Sequence, residues 1–210
     1  MLQFDLLAAD SVEEISLPDA QLLFWPEFLS PSNELAETAD AFFQRLYGRI
    51  QWQQETIRIA GVDRLVPRLT AWYGDPQARY RYSGVEHAPL AWIPELLQVK
   101  SLLEQQTGET FNSVLANLYR DGQDSVAWHS DDEPELGKNP VIASVSLGAT
   151  RSFQLKRKTK PKLSHKIALT SGSLLLMKGK TQSHWLHQVP KERAVLEPRI
   201  NLTFRKIITT

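Results

Sequence analysis

The sequence predicts an α+β, mainly β fold: a C-terminal double β-sheet of jelly-roll form with N-terminal helices packed on one side of it. Two observations carry this expectation. From residue 114 onward the chain breaks into eight short β-prone runs at roughly even spacing: VLANLYR, SVAWHS, VIASVSLG, RSFQLKR, HKIALT, GSLLLMKG, HWLHQV and INLTFRKII. Turn residues separate them, the pattern of an all-β barrel or sandwich. Helical periodicity is confined to two stretches upstream of these runs, and no repeat or low-complexity tract is visible. With 210 residues, 42% of them hydrophobic and 23% charged, the chain is long enough for one domain with its own core and too apolar for general disorder.

The elements follow in order. Residues 34–48 (ELAETADAFFQRLYG) carry acids early, apolar residues at helical spacing and a closing glycine, and Ser32 or Asn33 stands where a cap belongs, which predicts a first helix. A second is expected from Ile93 to Gln106, with Pro94 in its first turn and Gly108 past its end. Between them, residues 56–82 alternate and turn as short strands and loops do.

Composition narrows the chemistry. Cysteine is absent, which excludes disulfides, thiolate metal sites and a cysteine nucleophile, and leaves histidine and carboxylate as metal ligands. No apolar run approaches the length of a membrane span, and the N-terminus MLQFDLLAADSVEEI carries acids where a secretory signal carries bases. A cytoplasmic, monomeric protein without a membrane partner is expected. Lysine plus arginine (24) balances aspartate plus glutamate (24), so bulk charge says nothing of nucleic acid. Distribution does: residues 156–162 (KRKTKPK) hold five bases in seven positions, and a hairpin loop there would grip phosphates.

Three β segments carry candidate site groups. In Trp128-His129-Ser130-Asp131-Asp132-Glu133, alternate side chains share a face, so His129 and Asp131 project together toward one cation. Alone, such a pair proves little and is more often a polar turn with a surface histidine. In Ser183-His184-Trp185-Leu186-His187, the two histidines lie three apart and face opposite ways in a strand; His187 is the expected inward one and His184 structural or superficial. A third ligand there completes a two-histidine, one-carboxylate facial triad that leaves coordination positions open on Fe(II). In Pro198-Arg199-Ile200-Asn201-Leu202-Thr203-Phe204-Arg205, period two places Ile200, Leu202 and Phe204 on one face and Arg199, Asn201, Thr203 and Arg205 on the other. Two arginines on the inner face of a buried strand are costly unless each meets an anion, and a dicarboxylate has two anionic ends. By the same alternation Asn117 and Tyr119 share a face, suited to hydrogen bonds with a bound carboxylate.

In this order, NLY, HSDDE, HWLHQVP and PRINLTFR resemble the signature of the AlkB family of 2-oxoglutarate oxygenases. The likeness covers residues 55–208, is strongest over 112–206, and is closer to the animal nuclear DNA-repair members than to the bacterial founding member through VPRLTAWYGD, RYRYSG, WIPELL and ASVSLGATRSF. It implies a single domain over 1–210: an N-terminal extension and helix (1–55), a nucleotide-recognition lid and helix (56–110) and a jelly-roll catalytic core (111–208). It also implies Fe(II) on His129, Asp131 and His187, and 2-oxoglutarate held by Arg199 and Arg205 with help from Asn117, Tyr119 and Asn201. With O2, that set would remove N-alkyl groups such as those of 1-methyladenine and 3-methylcytosine from DNA, giving succinate, carbon dioxide and formaldehyde. Glu133 matches an acid that contacts the exocyclic amino group of the damaged base, Tyr80 and Tyr82 match aromatic positions around the flipped base, and Arg68 matches a position at the site mouth. Ala60 stands where duplex-specialised relatives carry a wedging aromatic, which points toward single strands or already open lesions. The other readings are the same chemistry on RNA or protein, and a non-catalytic β-barrel that binds a metal or anion.

Overall fold

The structure, a computed structural model, describes residues 12–30, 37–59, 61–82 and 85–208. An N-terminal hairpin comes first, β1 (Glu13–Leu17) and β2 (Ala20–Trp25), followed by helix α1 (Ala39–Arg49). Five short strands lead to the second helix: β3 (Thr56–Ile59), β4 (Val62–Leu65), β5 (Leu69–Gly74), β6 (Tyr80–Tyr82), β7 (Val85–His87), then α2 (Pro94–Thr107). The C-terminal half holds β8 (Ser113–Tyr119), β9 (Val126–His129), β10 (Ile142–Gly148), β11 (Arg151–Arg157), β12 (Ser164–Leu169), β13 (Leu174–Lys178), the single turn α3 (Thr181–His184), β14 (Trp185–Val189) and β15 (Arg199–Arg205).

Two antiparallel sheets face one another. The major sheet has seven strands in the order β1-β2-β13-β10-β15-β8-β5, and the minor sheet four in the order β12-β11-β14-β9. The outer face of the major sheet meets the helices: Ile200, Leu202 and Phe204 join Phe42 and Leu46 of α1 and Leu96, Val99 and Leu103 of α2 in one apolar cluster. A second cluster fills the space between the sheets, with Leu22, Leu175 and Met177 from one side and Phe153, Leu155 and Trp185 from the other. Each such buried side chain contributes about 1.5–3 kcal/mol, so both layers are held chiefly by apolar burial.

Two expectations change, and a third holds. The first helix begins at Ala39 instead of residue 34, because Thr38 is extended and its side chain accepts the Ala41 N–H, so the cap lies inside the expected helix. Ser32 and Asn33 lie outside the described residues, as does Ala60. The sheet is also not confined to 111–208. β1 and β2 come from the stretch expected as an extension and β5 from the stretch expected as a lid, and Leu69–Gly74 pairs with β8 along its whole length. The second helix runs Pro94–Thr107 and closes on Gly108 at φ 69, a left-handed cap that favours glycine.

Candidate active site

The cavity opens between the sheets. On its minor-sheet side, His129 ends β9 and lies directly across from His187 in β14, with ring centroids 4.3 Å apart. A β-bulge sets three steps on β9, Val126 to His129, against two on β14, Val189 to His187, and so turns both Val126 and His129 toward the cavity. Asp131 follows two residues later, 3% exposed, with Oδ1 3.9 Å from His129 Nε2. Ligand atoms of His129, Asp131 and His187 all lie within 4.8 Å of one another. The Ala127 carbonyl, 2.8 Å from His129 Nδ1, can only accept, so Nδ1 carries the proton and Nε2 keeps its lone pair toward the cluster.

Charge in the cluster is settled by burial and by one arginine. Burial pushes the His187 imidazole down to about 4, beyond what the Asp131 charge restores, so at neutral pH it is an uncharged ligand. Burial alone would raise the Asp131 carboxyl, but the Arg205 guanidinium, whose Nη2 donates to Oδ1 at 2.9 Å, leads the opposing attractions that hold it below the usual carboxylate range. Asp131 is therefore an anion shared between the imidazole cluster and the guanidinium beside it.

The major-sheet side carries the anion-binding groups. Arg199, 1% exposed, donates from Nη2 to Ser146 Oγ at 2.9 Å and lies 5.2 Å from the Tyr119 ring centroid. Burial pushes its pKa down to about 10, still a cation at neutral pH. Its Nε and Nη1, and Nε of Arg205, are buried without a partner among the described residues. Buried N–H groups of this kind are normally satisfied, so three such donors on two cations lining one cavity fit an acidic small molecule. Next to a His-Asp-His cluster, the donor set fits a divalent metal with a carboxylate cosubstrate.

The other expected site residues divide. Tyr119, Asn117 and Arg68 line the cavity, with Arg68 Nε donating to Asn117 Oδ1 at 2.7 Å. Asn201 lines it too, but its Nδ2 donates to Ser144 Oγ at 2.8 Å and the Val145 carbonyl at 3.2 Å, while Oδ1 accepts from Thr203 Oγ1. Both N–H groups of this cavity-lining amide are thus engaged with β10. Glu133 is exposed at the start of the 3-10 turn Pro134–Leu136 and is not part of the cavity wall. Tyr80 and Tyr82 sit in β6, opposite His87 and Val85 of β7; their side chains lie outside the described set. His184 stands apart from the cluster, in α3, with Nδ1 on the Lys180 carbonyl.

The basic run is corrected in part. Lys156 lies over the Trp128 ring, Arg157 pairs with Asp19, and Lys158 Nζ donates to Ser130, Asp132 and the Gln182 carbonyl, so these three charges are already engaged. Lys160 and Lys162 are exposed in the β11–β12 loop, where Lys162 Nζ donates to the Lys158 carbonyl at 3.1 Å. Arg151 was not expected at all. It is 1% exposed, its guanidinium donates to the carbonyls of Asp121, Asp124 and Pro190, and it lies 5.6 Å from the same Tyr119 ring that Arg199 approaches. The argument that marked Arg199, a base on the inward phase of an apolar strand, applies equally to RSFQLKR.

Comparison with known proteins agrees with this geometry. The family model of the 2OG-Fe(II) oxygenase superfamily matches residues 21–205. Alpha-ketoglutarate-dependent dioxygenase alkB homolog 3 of Bos taurus is 48% identical over 178 residues, covering 80% of this chain and 62% of that protein. The Homo sapiens protein of the same name is 42% identical over 210 residues, covering 94% of this chain and 71% of the relative. DNA oxidative demethylase ALKBH2 of Homo sapiens is 40% identical, with 82% and 70% covered. The chain thus spans about two thirds of the length of these relatives, 62–71%. The solved structure of OsALKBH1 superposes with a TM-score of 0.58 over 93% of this chain and 100% of that one, at 17% identity, a likeness of fold alone. A His-Asp-His cluster faced by the buried Arg199 and the half-buried Arg205 across a double β-sheet, within a sequence that matches over 21–205, places the chain in the 2OG-Fe(II) oxygenase superfamily, in its AlkB branch of the animal DNA-repair type.

Proposed function

We propose that this chain oxidatively demethylates N-alkylated nucleic-acid bases, of the 1-methyladenine and 3-methylcytosine type, preferring DNA in single-stranded or already open form. The observation that carries the reading is the pairing, in one cavity, of the three-ligand cluster with two arginines whose buried donors lack partners. Relatives at 40–48% identity named as dioxygenases and DNA oxidative demethylases support the substrate class.

Fe(II), 2-oxoglutarate and O2, when bound, supply an oxidation in which 2-oxoglutarate becomes succinate and carbon dioxide, and an N-methyl group leaves as formaldehyde. His129, Asp131 and His187 would hold the metal and leave three coordination positions for cosubstrate and oxygen. Arg199 and Arg205 would take the cosubstrate carboxylates, each guanidinium offering a planar fork. Tyr119, fixed between strands with two guanidiniums near its ring, keeps Arg199 in place. Phe153, stacked on His187 at 5.1 Å, together with Met177 and Val189, keeps water from the buried side of the cluster. The exposed Lys160 of the β11–β12 loop would meet phosphates.

Formaldehyde release from 3-methylcytosine in single- and double-stranded DNA, with Fe(II) and 2-oxoglutarate omitted in turn, tests the proposal. Release that needs both and is faster on single strands is expected. Turnover of methylated RNA or peptide with none on DNA would move the activity to another substrate, and 2-oxoglutarate-independent release would remove the oxygenase reading.

A further inference from the structure

Gln182 belongs to none of the groups assigned above, yet it touches a ligand residue. It is 1% exposed in the α3 turn, its Oε1 accepts the backbone N–H of Asp131 at 3.0 Å, and its Nε2 reaches the Met177 sulfur at 3.5 Å. Asp131 needs such a contact. β9 is the edge strand of the minor sheet and ends at His129, so the ladder stops two residues before the carboxylate that must meet His187. The α3 turn leads straight into β14 and His187, so an acceptor fixed there measures one ligand against another. Lys158 holds the arrangement from outside: its Nζ donates to Ser130 Oγ at 2.8 Å, Asp132 Oδ2 at 3.0 Å and the Gln182 carbonyl at 2.8 Å, gripping the residues on both sides of Asp131 and the turn that carries Gln182.

The geometry points to Gln182 as a positioning residue that substitutes for the missing ladder bond and sets Asp131 against His187, with Lys158 as the clamp that keeps the α3 turn on the ligand segment. This rests on the reading of His129, Asp131 and His187 as metal ligands. Partners behind a metal ligand typically govern 10- to 100-fold in metal affinity.

The test is Mn(II) affinity of the metal-free full chain, with Co(II) absorption as a report on coordination and the melting temperature of the metal-free protein as a report on fold. Gln182→Leu removes the acceptor at nearly constant volume; about 10- to 100-fold weaker Mn(II) binding and an altered Co(II) spectrum are expected, with the metal-free melt little changed. Gln182→Glu keeps an oxygen at the same reach and should restore wild-type affinity. Lys158→Met should also weaken binding, and add less than its own effect in the double variant. Wild-type affinity in Gln182→Leu, or an equal loss in Gln182→Glu, overturns the inference. If Gln182→Leu does not fold, wild-type affinity in Lys158→Met overturns it instead. Failure of the unmodified protein to bind Mn(II) at all would overturn the metal reading first and this inference with it.

Discussion

Replacing Arg199 by methionine pulls apart two quantities that the site sets against each other. In the free cavity burial holds this guanidinium at about 10 against an ordinary 12.5, and at about 1.4 kcal/mol per pKa unit the charged form carries a penalty of about 3 kcal/mol. The attraction and hydrogen bond of Tyr119, which oppose the burial, are already inside that balance. A methionine of similar length removes the penalty with the charge, so the variant without cosubstrate is expected to be as stable as wild type or more so by about 1–2 kcal/mol, which is a few degrees in melting temperature. Cosubstrate binding moves the other way. Nε and Nη1 are the donors left over for a carboxylate. Two charge-assisted bonds at about 1.5–3 kcal/mol each give about 3–6 kcal/mol, or at least about 100-fold in affinity for 2-oxoglutarate. Thermal melts of the Mn(II)-loaded protein with and without 2-oxoglutarate read both quantities at once. The unliganded baseline should hold while the upward shift on adding 2-oxoglutarate disappears. A baseline lowered by about 10 °C, or a ligand shift equal to that of wild type, would refute the reasoning.

Acid should expose His187. Its folded pKa of about 4 lies below the ordinary 6.5, so between those values the unfolded chain takes up a proton that the folded chain refuses. Metal-free stability is therefore complete above pH 6.5 and falls toward pH 4, by up to about 3 kcal/mol from this residue, and urea midpoints of His187→Gln should lack that share of the slope; equal slopes would contradict the burial account. Asp131, lowered instead, adds stability that is present above about 3.8 and is lost only below it. In the β11–β12 loop, Lys160→Ala should make the log–log salt dependence of single-strand binding shallower by about 0.7, read by fluorescence anisotropy. Lys158→Met should leave that slope unchanged, because its Nζ is already bonded to protein; a shallower slope there would put Lys158 on the nucleic acid.

The strands from β8 to β15 could be read in advance because a strand buried on two faces still writes its alternation in the choice of residue, and Arg199 to Arg205 does so plainly. The hairpin β1–β2 could not: Glu13 and Glu14 on an exposed edge hide the pattern, and only Pro18-Asp19, with Asp19 at φ 56, marks the turn. At the site, the ligand positions follow from period two, but the commitments of Asn201, Lys158 and Gln182 do not. Those are decided by which strands become neighbours, and Ser144 or Ser130 reaches them only after register is set. The same limit explains why the basic run promised more free charge than the folded chain offers.

The groups that would hold the metal belong to one leaf of the double sheet, His129 on β9, His187 on β14 and Asp131 just past the end of β9, while the guanidiniums hang from β15 in the other. Arg205 and Asp131 join the two at 2.9 Å. A slip of one residue between the leaves, about 3.3 Å, would exceed any hydrogen bond's tolerance. The catalytic centre is therefore a gauge of how the leaves are aligned. Neither leaf carries half an enzyme, and a packing change far from the cavity registers as lost cosubstrate grip while the chain is still folded.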